Sequence, residues 1–381
     1  MRTQAAVLRQ MGAPRPYAES RPLQVEEVAV APPGPGEVLV EVAVAGLCHS
    51  DLSVIDGSRP RPLPMVLGHE AAGIVREVGP GVEEVRVGDH VVFSFVPACG
   101  RCAYCAVGRP ALCEPGARAN TDGTLLGGAR RFADGHGAPL HHHLGVSAFS
   151  QYTVAASGSV VPVDPTLPLE TAALFGCAVT TGVGAVVNTA QVPAGSAVAV
   201  FGLGGVGLSV VMGARAAGAT PILAVDVVPE KLARARILGA SMVVDARETD
   251  PVEAVRDVTG GGAAYVFESA GNETVLEQAY RATRRGGMTV AIGLPHPDRR
   301  LSVPAVSLAA EERTVRGSYM GSAVPRRDIP RFIAMHRAGL LPVERLLDAR
   351  LTLAEINAGF DALAAGQVVR QVVRLGGRAG D

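Results

Sequence analysis

The sequence predicts an α/β protein in which a β-rich region is followed by a doubly wound parallel sheet. Three observations support this fold class. Short alternating apolar runs separated by Gly and Pro turns fill roughly the first 97 residues, which favours a β-barrel or sandwich. Strands alternate with helices from about residue 198 to residue 292, as a parallel sheet requires. A glycine-rich turn joins the first of these strands to its helix. The length of 381 residues suits two or three domains.

The β-rich region opens with an alternating segment at Met1 and contains four further strand patterns. These are Leu23 to Val30, Val38 to Val44, Gly73 to Val78 and His90 to Phe95. From Pro97 to Leu144 we expect a long Gly- and Arg-rich loop, because the stretch shows no periodicity. A loop of this length inside a domain is normally functional or braced from outside. The cysteines at its beginning would brace it.

The stretch from Val198 to Asp226 predicts a dinucleotide-binding unit. A buried strand is followed by Gly202, Leu203, Gly204, Gly205, Val206 and Gly207, then by a helix and a second strand that ends at Asp226. The first glycine of such a motif permits a tight turn, the second lets the backbone approach a pyrophosphate, and the third lets helix and strand pack closely. The helix N-terminus favours the anion. Since Asp226 can bind both ribose hydroxyls of adenosine and repels a 2′-phosphate, we expect NAD rather than NADP.

Composition and charge exclude several classes of protein. The net charge of -1 gives no indication of a nucleic-acid partner. No run of about 18 apolar residues predicts a membrane span, and the N-terminus lacks the apolar core of a signal peptide. Without an export signal, the six cysteines favour metal thiolates over disulfides. We therefore expect a cytoplasmic globular protein.

Four cysteines form a candidate structural metal site. Cys99, Cys102, Cys105 and Cys113 follow the pattern C-x2-C-x2-C-x7-C. Four thiolates can close a tetrahedral zinc site that has no open position. An iron–sulfur cluster and unliganded thiols are the alternatives, but the usual cluster motif continues with C-x3-C-P, which this chain lacks.

A second group of residues suggests a metal site with an open position. Cys48 lies in a Gly-Leu-Cys-His-Ser-Asp stretch, and His69 follows 21 residues later, directly before Glu70. Together with Cys177, these residues would leave a fourth zinc position for water or substrate, with Glu70 as an alternative ligand. Spacing alone is only suggestive, because small buried cysteines are common in protein cores.

Together, these motifs resemble the zinc-dependent alcohol dehydrogenases of the medium-chain dehydrogenase/reductase superfamily, over essentially the whole chain. The resemblance is closest to the long-loop branch, which holds the animal-type alcohol dehydrogenases and the thiol-dependent formaldehyde dehydrogenases. The stretches that carry it are residues 46–51, 68–73, the four-cysteine loop, 142–152, 202–207 and 366–370. It implies a GroES-like catalytic domain at 1–178 and 321–381, a Rossmann NAD-binding domain at 179–320, and a homodimer.

The resemblance implies a role for each site residue. Cys48, His69 and Cys177 would ligate the catalytic zinc, with Glu70 as the exchangeable neighbour, and the four-cysteine loop would hold a structural zinc. The remaining roles are orientation of His69 by Asp51, proton acceptance by Ser50, pyrophosphate binding by His49 and Arg370, nicotinamide contact by Thr181, and adenine-ribose contact by Asp226 and Lys231.

Several positions depart from the family pattern. Ser53 stands where many relatives have the histidine that ends the proton relay, so the relay ends at the ribose and bulk water or uses His49. Arg59 and His143 occupy pocket positions that are often apolar in the family, while Phe95 is retained. Ala117, beside Arg118, replaces the anion-binding arginine of the thiol-dependent branch. His141, His142 and His143 could suggest another metal, but the family pattern makes them a pocket wall.

The sequence therefore predicts a zinc- and NAD-dependent alcohol dehydrogenase. The reaction is reversible hydride transfer between a primary alcohol and NAD+, giving an aldehyde and NADH. The first alternative is a formaldehyde dehydrogenase acting on an S-(hydroxymethyl)thiol adduct, which would require a low-molecular-weight thiol. A second alternative, from a different class, is a zinc- and dinucleotide-binding protein without catalysis.

Overall fold

The computed structural model describes residues 1–376, and contacts among these residues divide the chain into two units. The first unit consists of residues 1–177 and 324–330 together with the chain from residue 347 onward. The second consists of residues 178–323 and 331–346. The division into functional domains that the resemblance implies, at residues 178 and 320, stays a prediction.

Antiparallel strands dominate the N-terminal part of the first unit. Its strands are β1 (Arg2–Leu8), β2 (Leu23–Val30), β3 (Glu37–Gly46), β4 (Met65–Val66), β5 (Glu70–Val78), β6 (His90–Phe93), β7 (Phe132–Ala133), β8 (Pro139–His142), β9 (Tyr152–Ala156) and β10 (Val160–Val163). Its helices are α1 (Tyr17–Ser20), α2 (His49–Ile55), α3 (Ala103–Ala106), α4 (Glu114–Asp122) and α5 (Leu169–Leu174). Strand β3 is buried along nearly its whole length, so it lies at the centre of the unit.

Strands and helices alternate through the second unit. The strands are β11 (Val198–Phe201), β12 (Ile222–Asp226), β13 (Met242–Asp245), β14 (Ala263–Glu268), β15 (Thr283–Ala291) and β16 (Thr314–Gly317). The helices are α6 (Ala178–Gly184), which continues as a π-helical segment (Ala185–Ala190), α7 (Gly205–Ala216), α8 (Pro229–Leu238), α9 (Pro251–Thr259), α10 (Glu273–Ala282) and α11 (Ala305–Ala310). Side chains of Asp250 and Asn272 cap α9 and α10 by accepting hydrogen bonds from the first-turn peptide N–H groups.

The C-terminal part adds two helices and two strands. These are α12 (Pro325–Arg337), β17 (Leu347–Thr352), α13 (Ile356–Ala364) and β18 (Arg370–Arg374). Within residues 1–376, no helix combines the length and the apolar character needed to cross a membrane.

Two sheets form the first unit. Five strands close a small barrel in the order β1–β2–β7–β8–β4. The larger sheet runs β10–β6–β5–β3–β18–β17, with β9 also paired to β3. Strand β18 pairs antiparallel with β3, so the C-terminal part of the chain completes the sheet that the N-terminal part begins. The apolar core reflects this, since Phe149 packs edge-to-face on Phe360 at 6.0 Å between ring centroids.

The second unit contains a six-stranded sheet in the order β13–β12–β11–β14–β15–β16, and every neighbouring pair is parallel. This is the doubly wound strand order of dinucleotide-binding folds, with the switch of direction beside β11. The predicted α/β class, with a β-rich region and a doubly wound parallel sheet, is confirmed.

The predicted loop from Pro97 to Leu144 is more structured than expected. It contains α3, α4, β7 and β8. The nine residues of α4 are polar or small, so they show no clear apolar face, although Cys113 caps the helix by accepting from the peptide N–H of Gly116. Strands of two and four residues are too short to show alternation. The expectation of an irregular loop was therefore wrong for these segments.

Candidate active site

Strand pairing brings Cys48 and His69 to one edge of the larger sheet. The last residue of β3, Gly46, is paired with the first residue of β5, Glu70. Cys48 follows β3 and is the N-cap of α2, while His69 directly precedes β5. Because antiparallel partners run side by side, residues just beyond one strand and just before the other are neighbours.

Two glycines are required by the close approach of neighbouring groups. A Cβ atom at Gly46 would lie 2.6 Å from Oε1 of Glu70. Gly68 has a φ of +92°, and a Cβ atom there would lie 2.5 Å from the peptide nitrogen of Phe149. These contacts explain in physical terms why the motifs around Cys48 and His69 each contain a glycine.

Cys48, His69 and Cys177 form a buried cluster, with one ligand atom of each within 4.8 Å of the others. The Cys177 thiol donates a hydrogen bond to the sulfur of Cys48. This bond holds the pKa of Cys48 well below its ordinary value; burial opposes the shift, and the charges of Arg370 and His69 add to it. Metals bind the thiolate form. Two sulfurs and one imidazole fit a zinc site, and since no other described residue joins this group, a fourth position would stay open.

Arg370 and Glu70 lie beside these thiols. Nη2 of Arg370 is 3.5 Å from Oε2 of Glu70, and Nη1 donates to the carbonyl of Leu47 at 3.0 Å. Burial disfavours the positive charge, but Glu70, Cys48 and Cys177 outweigh it and raise the pKa of Arg370. Sequence reasoning predicted only a pyrophosphate role for Arg370. Its place beside the thiols was missed, because residues so distant in sequence give no signal of contact.

Asp51 holds the imidazole of His69. Oδ1 of Asp51 lies 3.1 Å from Nδ1 of His69, which leaves Nε2 as the ring nitrogen available to a metal. Burial opposes a charge on His69, yet Asp51 and Cys48 outweigh burial and raise the pKa of His69 well above its ordinary value. Burial likewise raises the pKa of Asp51, but His69 and His143 overcome it and the pKa is lowered. The pair is the carboxylate–histidine arrangement that orients metal-ligating histidines.

The other predicted residues of this region differ in their burial and in their contacts. His49 is exposed and Ser50 is half-buried, both at the start of α2. The Ser53 hydroxyl donates to the carbonyl of Ser50 at 2.8 Å. Phe95 packs edge-to-face on His69 at 5.6 Å between ring centroids. Arg59 is half-buried, and its peptide N–H donates to the carbonyl of Ser53.

His143 contacts the same group of residues. Its ring packs edge-to-face on His69 at 5.7 Å, and its Nε2 lies 3.3 Å from Oδ1 of Asp51. Sequence reasoning placed His143 in the substrate pocket but missed its contact with Asp51. No periodicity or spacing links residues 51 and 143, so the sequence offered no signal for it.

The four cysteines of the second predicted site also gather, with their sulfurs within 4.8 Å of one another. Peptide N–H groups donate to these sulfurs: Cys99 to Cys113 at 3.2 Å, Cys102 to Cys99 at 3.3 Å, and Gly116 to Cys113 at 3.4 Å. The peptide N–H of Cys105 lowers the pKa of Cys102 to about 6. All six cysteines of the chain lie in its described part and are free thiols. The donor set fits a closed tetrahedral zinc site.

The glycine-rich turn in the second unit has the geometry that the motif predicts. Gly202 has a φ of +88°, and a Cβ atom at Gly207 would lie 1.9 Å from the carbonyl oxygen of Gly202. A Cβ atom at Gly204, the N-cap of α7, would face open space. Ser269, which sequence reasoning missed, donates from its hydroxyl to the carbonyl of Gly202 at 2.8 Å. The residue follows β14 directly, but nothing in one sequence marks it.

Asp226 is fixed against this turn. Its Oδ2 accepts from the peptide N–H of Leu203 at 2.6 Å, and its Oδ1 accepts from those of Val227 and Val228. Lys231 is half-buried on α8. The hydroxyl of Thr181, on α6, is buried and has no hydrogen-bond partner in the described part of the chain. A buried hydroxyl of this kind fits a site that a ligand completes.

Three consecutive histidines have three different surroundings. Nδ1 of His141 contacts the carbonyl of Pro64 at 3.0 Å, and His143 lies beside Asp51. His142 packs on Phe132, and its Nε2 accepts from the peptide N–H of Arg131 at 3.1 Å. Burial, followed by the charge of Arg131, lowers the pKa of His142 to about 3. His142 is therefore a neutral core residue at neutral pH.

His142 should make the stability of the protein sensitive to acid. Because its pKa is about 3 in the folded state and 6.5 ordinarily, the unfolded state binds more protons below pH 6.5, and stability falls as pH falls. His142→Gln keeps an acceptor for Arg131 but cannot titrate. Between pH 7 and pH 5, the wild type should lose about 2 kcal/mol more unfolding free energy than the variant in urea denaturation. From pH 8 to pH 7 the two proteins should change equally, and equal losses at pH 5 would contradict this account.

Two family models match the chain. The model of the alcohol dehydrogenase GroES-like domain matches residues 34–165, and that of the zinc-binding dehydrogenase matches residues 205–337. An S-(hydroxymethyl)glutathione dehydrogenase of Escherichia coli is 39% identical over 362 residues, which cover 94% of this chain and 98% of that protein.

Solved structures are similar over the whole chain. An alcohol dehydrogenase zinc-binding domain protein from Burkholderia ambifaria is 39% identical with a TM-score of 0.93, covering 99% of this chain and 100% of that one. Benzyl alcohol dehydrogenase from Acinetobacter calcoaceticus is 32% identical with a TM-score of 0.90 and the same coverage.

Proposed function

This chain belongs to the zinc-dependent alcohol dehydrogenases of the medium-chain dehydrogenase/reductase superfamily, and we propose that it transfers hydride reversibly between a primary alcohol and NAD+. The family predicted from the motifs is confirmed. The protein is an oxidoreductase that uses zinc and a nicotinamide dinucleotide. The observation that carries the proposal is the buried cluster of Cys48, His69 and Cys177, in which His69 is oriented by Asp51.

We assign Cys48, His69 and Cys177 to the catalytic zinc, with Glu70 as the exchangeable neighbour. Zinc held there would polarise the oxygen of the alcohol and lower its pKa. Ser50 accepts the alcohol proton, and Asp51 keeps Nε2 of His69 directed at the metal. The Ser53 hydroxyl is engaged with the carbonyl of Ser50, so the proton leaves through His49 or through the ribose and bulk water. Phe95, Arg59 and His143 are assigned to the substrate pocket.

The cofactor of the proposed reaction is NAD. Residues 202–207 would receive the pyrophosphate at the N-terminus of α7, with His49 and Arg370 as further partners. Asp226 and Lys231 would bind the adenine ribose, and Thr181 the nicotinamide. The proposal is supported by the carboxylate of Asp226, held beside the turn at Leu203, and by the buried hydroxyl of Thr181 that lacks a protein partner. The cofactor supplies the hydride chemistry itself.

A second zinc, held by Cys99, Cys102, Cys105 and Cys113, has a structural role in this proposal. The proximity of the four sulfurs and the peptide N–H groups that point at them support it. An open ligand position is absent from this donor set, so we assign no chemistry to it.

A second candidate function is a dehydrogenase that acts on the S-(hydroxymethyl)thiol adduct of formaldehyde. The Escherichia coli relative, which is named an S-(hydroxymethyl)glutathione dehydrogenase, favours this function. Arg118, the residue next to the expected anion-binding position, does not support this function. Its side chain is exposed, and its Nε lies 3.7 Å from Oδ2 of Asp122 on the same helix. We therefore rank the free-alcohol reaction first.

We also propose a cytoplasmic homodimer. The four residues of β16, at the edge of the parallel sheet, are all exposed, as an edge strand that pairs with a second copy would be. The six free thiols suit a reducing compartment. A single-chain mass in sedimentation equilibrium would exclude the dimer, and recovery of the native protein outside the cytoplasm would exclude the location.

The substrate class can be determined with a panel of aldehydes and NADH. We expect turnover of free aliphatic or aromatic aldehydes without any added thiol, because Ala117 stands where the thiol-dependent branch carries its anion-binding arginine. Formaldehyde is tested with and without glutathione as the matched comparison. Activity restricted to formaldehyde plus thiol would establish the second candidate, and preference for carboxylate-bearing aldehydes would implicate Arg59.

Metal analysis of matched cysteine variants tests both zinc assignments. We expect two zinc ions per wild-type chain and one per chain in Cys48→Ala, which should keep its far-UV circular dichroism but lose turnover. Cys113→Ser should also lose one zinc, with a lowered thermal midpoint, because the binding free energy of a structural zinc contributes to folding. If Cys48→Ala retained two zinc ions, or its activity, the catalytic assignment would be wrong.

The preference for NAD is tested by Asp226→Gly. The variant loses charged hydrogen bonds to the ribose and the repulsion of a 2′-phosphate, each on the order of 1.5–3 kcal/mol. The ratio of kcat/KM for NADH over NADPH should therefore fall by about 10-fold or more. Asp245→Gly is the control, since Asp245 ends the neighbouring strand β13 and is paired with Arg247. An unchanged ratio in Asp226→Gly would refute the ribose role.

A further inference from the structure

A turn of uncommon backbone conformation follows β16, the last strand of the parallel sheet. Its three consecutive residues Met320, Gly321 and Ser322 have φ values of +50°, +61° and +50°. This left-handed region is disfavoured for residues that carry a Cβ atom, which applies to Met320 and Ser322. Residues in such a conformation persist only where the surrounding structure determines it. Contacts with neighbouring groups must therefore hold the 320–322 turn in place.

Backbone atoms of the 320–322 turn lie directly on helix α6. A Cβ atom at Gly184 would lie 2.6 Å from the carbonyl oxygen of Gly321, and a Cβ atom at Gly321 would lie 2.7 Å from Cα of Gly184. The latter atom would also lie 2.8 Å from the carbonyl oxygen of Thr181. Each glycine thus permits the close approach of the other, and neither position accepts a side chain. The position of the turn therefore determines where the helix backbone lies at Thr181.

Three hydroxyl groups connect the turn to the segment that continues α6. Oγ1 of Thr189 lies 2.8 Å from Oγ of Ser318, and it donates to Oγ of Ser322 at 2.9 Å. Because a hydroxyl has one proton, and Thr189 gives its proton to Ser322, Ser318 is the donor to Thr189. Nδ2 of Asn188 adds a hydrogen bond to the carbonyl of Gly321 at 3.4 Å. The buried Thr189 thus holds the chain on both sides of Gly321.

Thr189 and Asn188 belong to the π-helical segment Ala185–Ala190. Segments of this kind are rare and are often found at functional sites. The hydrogen bonds of a π-helix span one more residue than those of an α-helix, so each side chain points in a different direction from the one it would have in a continued α-helix. The direction in which the Thr189 hydroxyl meets the turn therefore depends on this irregular segment.

We propose that Thr189 is a positioning residue of the dinucleotide site, whose hydroxyl holds the 320–322 turn against α6 and so sets the place of Thr181 before the cofactor binds. The inference rests on the proposed function, which assigns Thr181 to the nicotinamide. The hydroxyl of Thr181 is buried and has no hydrogen-bond partner among the described residues, so the bond it can offer to a ligand depends on where α6 holds it. The turn directly follows the carboxyl end of β16, the end of a parallel strand at which ligands bind.

A purely structural role for the three hydroxyl groups is the alternative. Buried hydroxyl groups need partners wherever they lie, and a second pair in the same unit joins Thr283 to Thr289 at 2.7 Å. That pair lies within β15 and contacts α10 through the carbonyl of Ala279. The Thr189 group differs because it connects two backbone segments whose contact includes Thr181. A structural role predicts lower stability alone, whereas positioning predicts a selective loss of affinity for the nicotinamide end of the cofactor.

Binding of NADH and of ADP-ribose to the full-length, zinc-loaded protein tests the proposal. ADP-ribose lacks the nicotinamide ring, so its affinity reports the glycine-rich turn and Asp226 but not Thr181. In titration calorimetry, Thr189→Val should raise the Kd of NADH about 5-fold or more and leave the Kd of ADP-ribose unchanged. Thr189→Ser, which keeps the hydroxyl, should bind both ligands like the wild type. Thr283→Val is the matched control, because it removes a buried hydroxyl of the same unit, and it should also bind both like the wild type.

A double variant shows whether Thr189 acts through Thr181. Thr181→Val alone should raise the Kd of NADH about 10-fold, and the addition of Thr189→Val should then have no further effect. Hydrogen exchange of the cofactor-free protein gives a second readout. In Thr189→Val, the amides of residues 185–190 and 318–323 should exchange faster than in the wild type, whereas Thr283→Val should leave them unchanged.

The outcomes that would overturn the proposal differ from those that would overturn the proposed function. Equal losses of NADH and ADP-ribose affinity in Thr189→Val, no loss of either, or a full additional loss in the double variant would exclude positioning through Thr181. If Thr181→Val bound NADH like the wild type, the nicotinamide contact assigned in the proposed function would be wrong, and the positioning role would fail with it. If Thr181→Val lost affinity for NADH and Thr189→Val did not, only the positioning role would fail.

Discussion

The pairing of Gly46 with Glu70 is the constraint on which the rest of the catalytic region depends. This register ends β3 and begins β5 at the same place, so Cys48 and His69 become neighbours although they are 21 positions apart in the sequence. A slip of one residue would turn every side chain of β5 to the opposite face and carry Glu70 away from Arg370. The carboxylate of Glu70 occupies the space that a side chain at position 46 would need. Register and glycine therefore depend on each other.

Several buried ionisable groups lie at this edge of the sheet, and the balance of their charges indicates that a cation would bind among them. Asp51 faces two imidazoles, and Glu70 lies beside the guanidinium of Arg370. Each acid thus has a basic partner inside the unit, as buried acids need. The hydrogen bond between the thiols of Cys48 and Cys177 lowers the pKa of Cys48 and raises that of Cys177. Full ionisation of both would leave a buried negative charge that a divalent cation offsets, which is the electrostatic reason to expect zinc there.

Sequence patterns predicted those parts of the fold that local physics determines. The strands Leu23–Val30 and Val198–Phe201 have the bounds expected, because alternating or apolar runs next to Gly and Pro turns are marked in the sequence itself. Helix α4 was missed because its residues are polar or small and show no apolar face. Strand β17 does alternate apolar with polar residues, so its pattern could have predicted it. In the site, motifs predicted Cys48, His69 and Asp51 as candidates. The contacts made by His143, Ser269 and Arg370 arise from tertiary packing, which one sequence does not encode locally.

The placement of His143 has a consequence for how such a site can change its substrate. The position is assigned to the pocket wall, where replacement of one side chain by another is the direct way to alter the space offered to an alcohol. Here the same ring also packs against His69, and its Nε2 lies 3.3 Å from Oδ1 of Asp51. A substitution that changes the side-chain volume at position 143 therefore also changes the packing around the imidazole that we assign to the catalytic zinc.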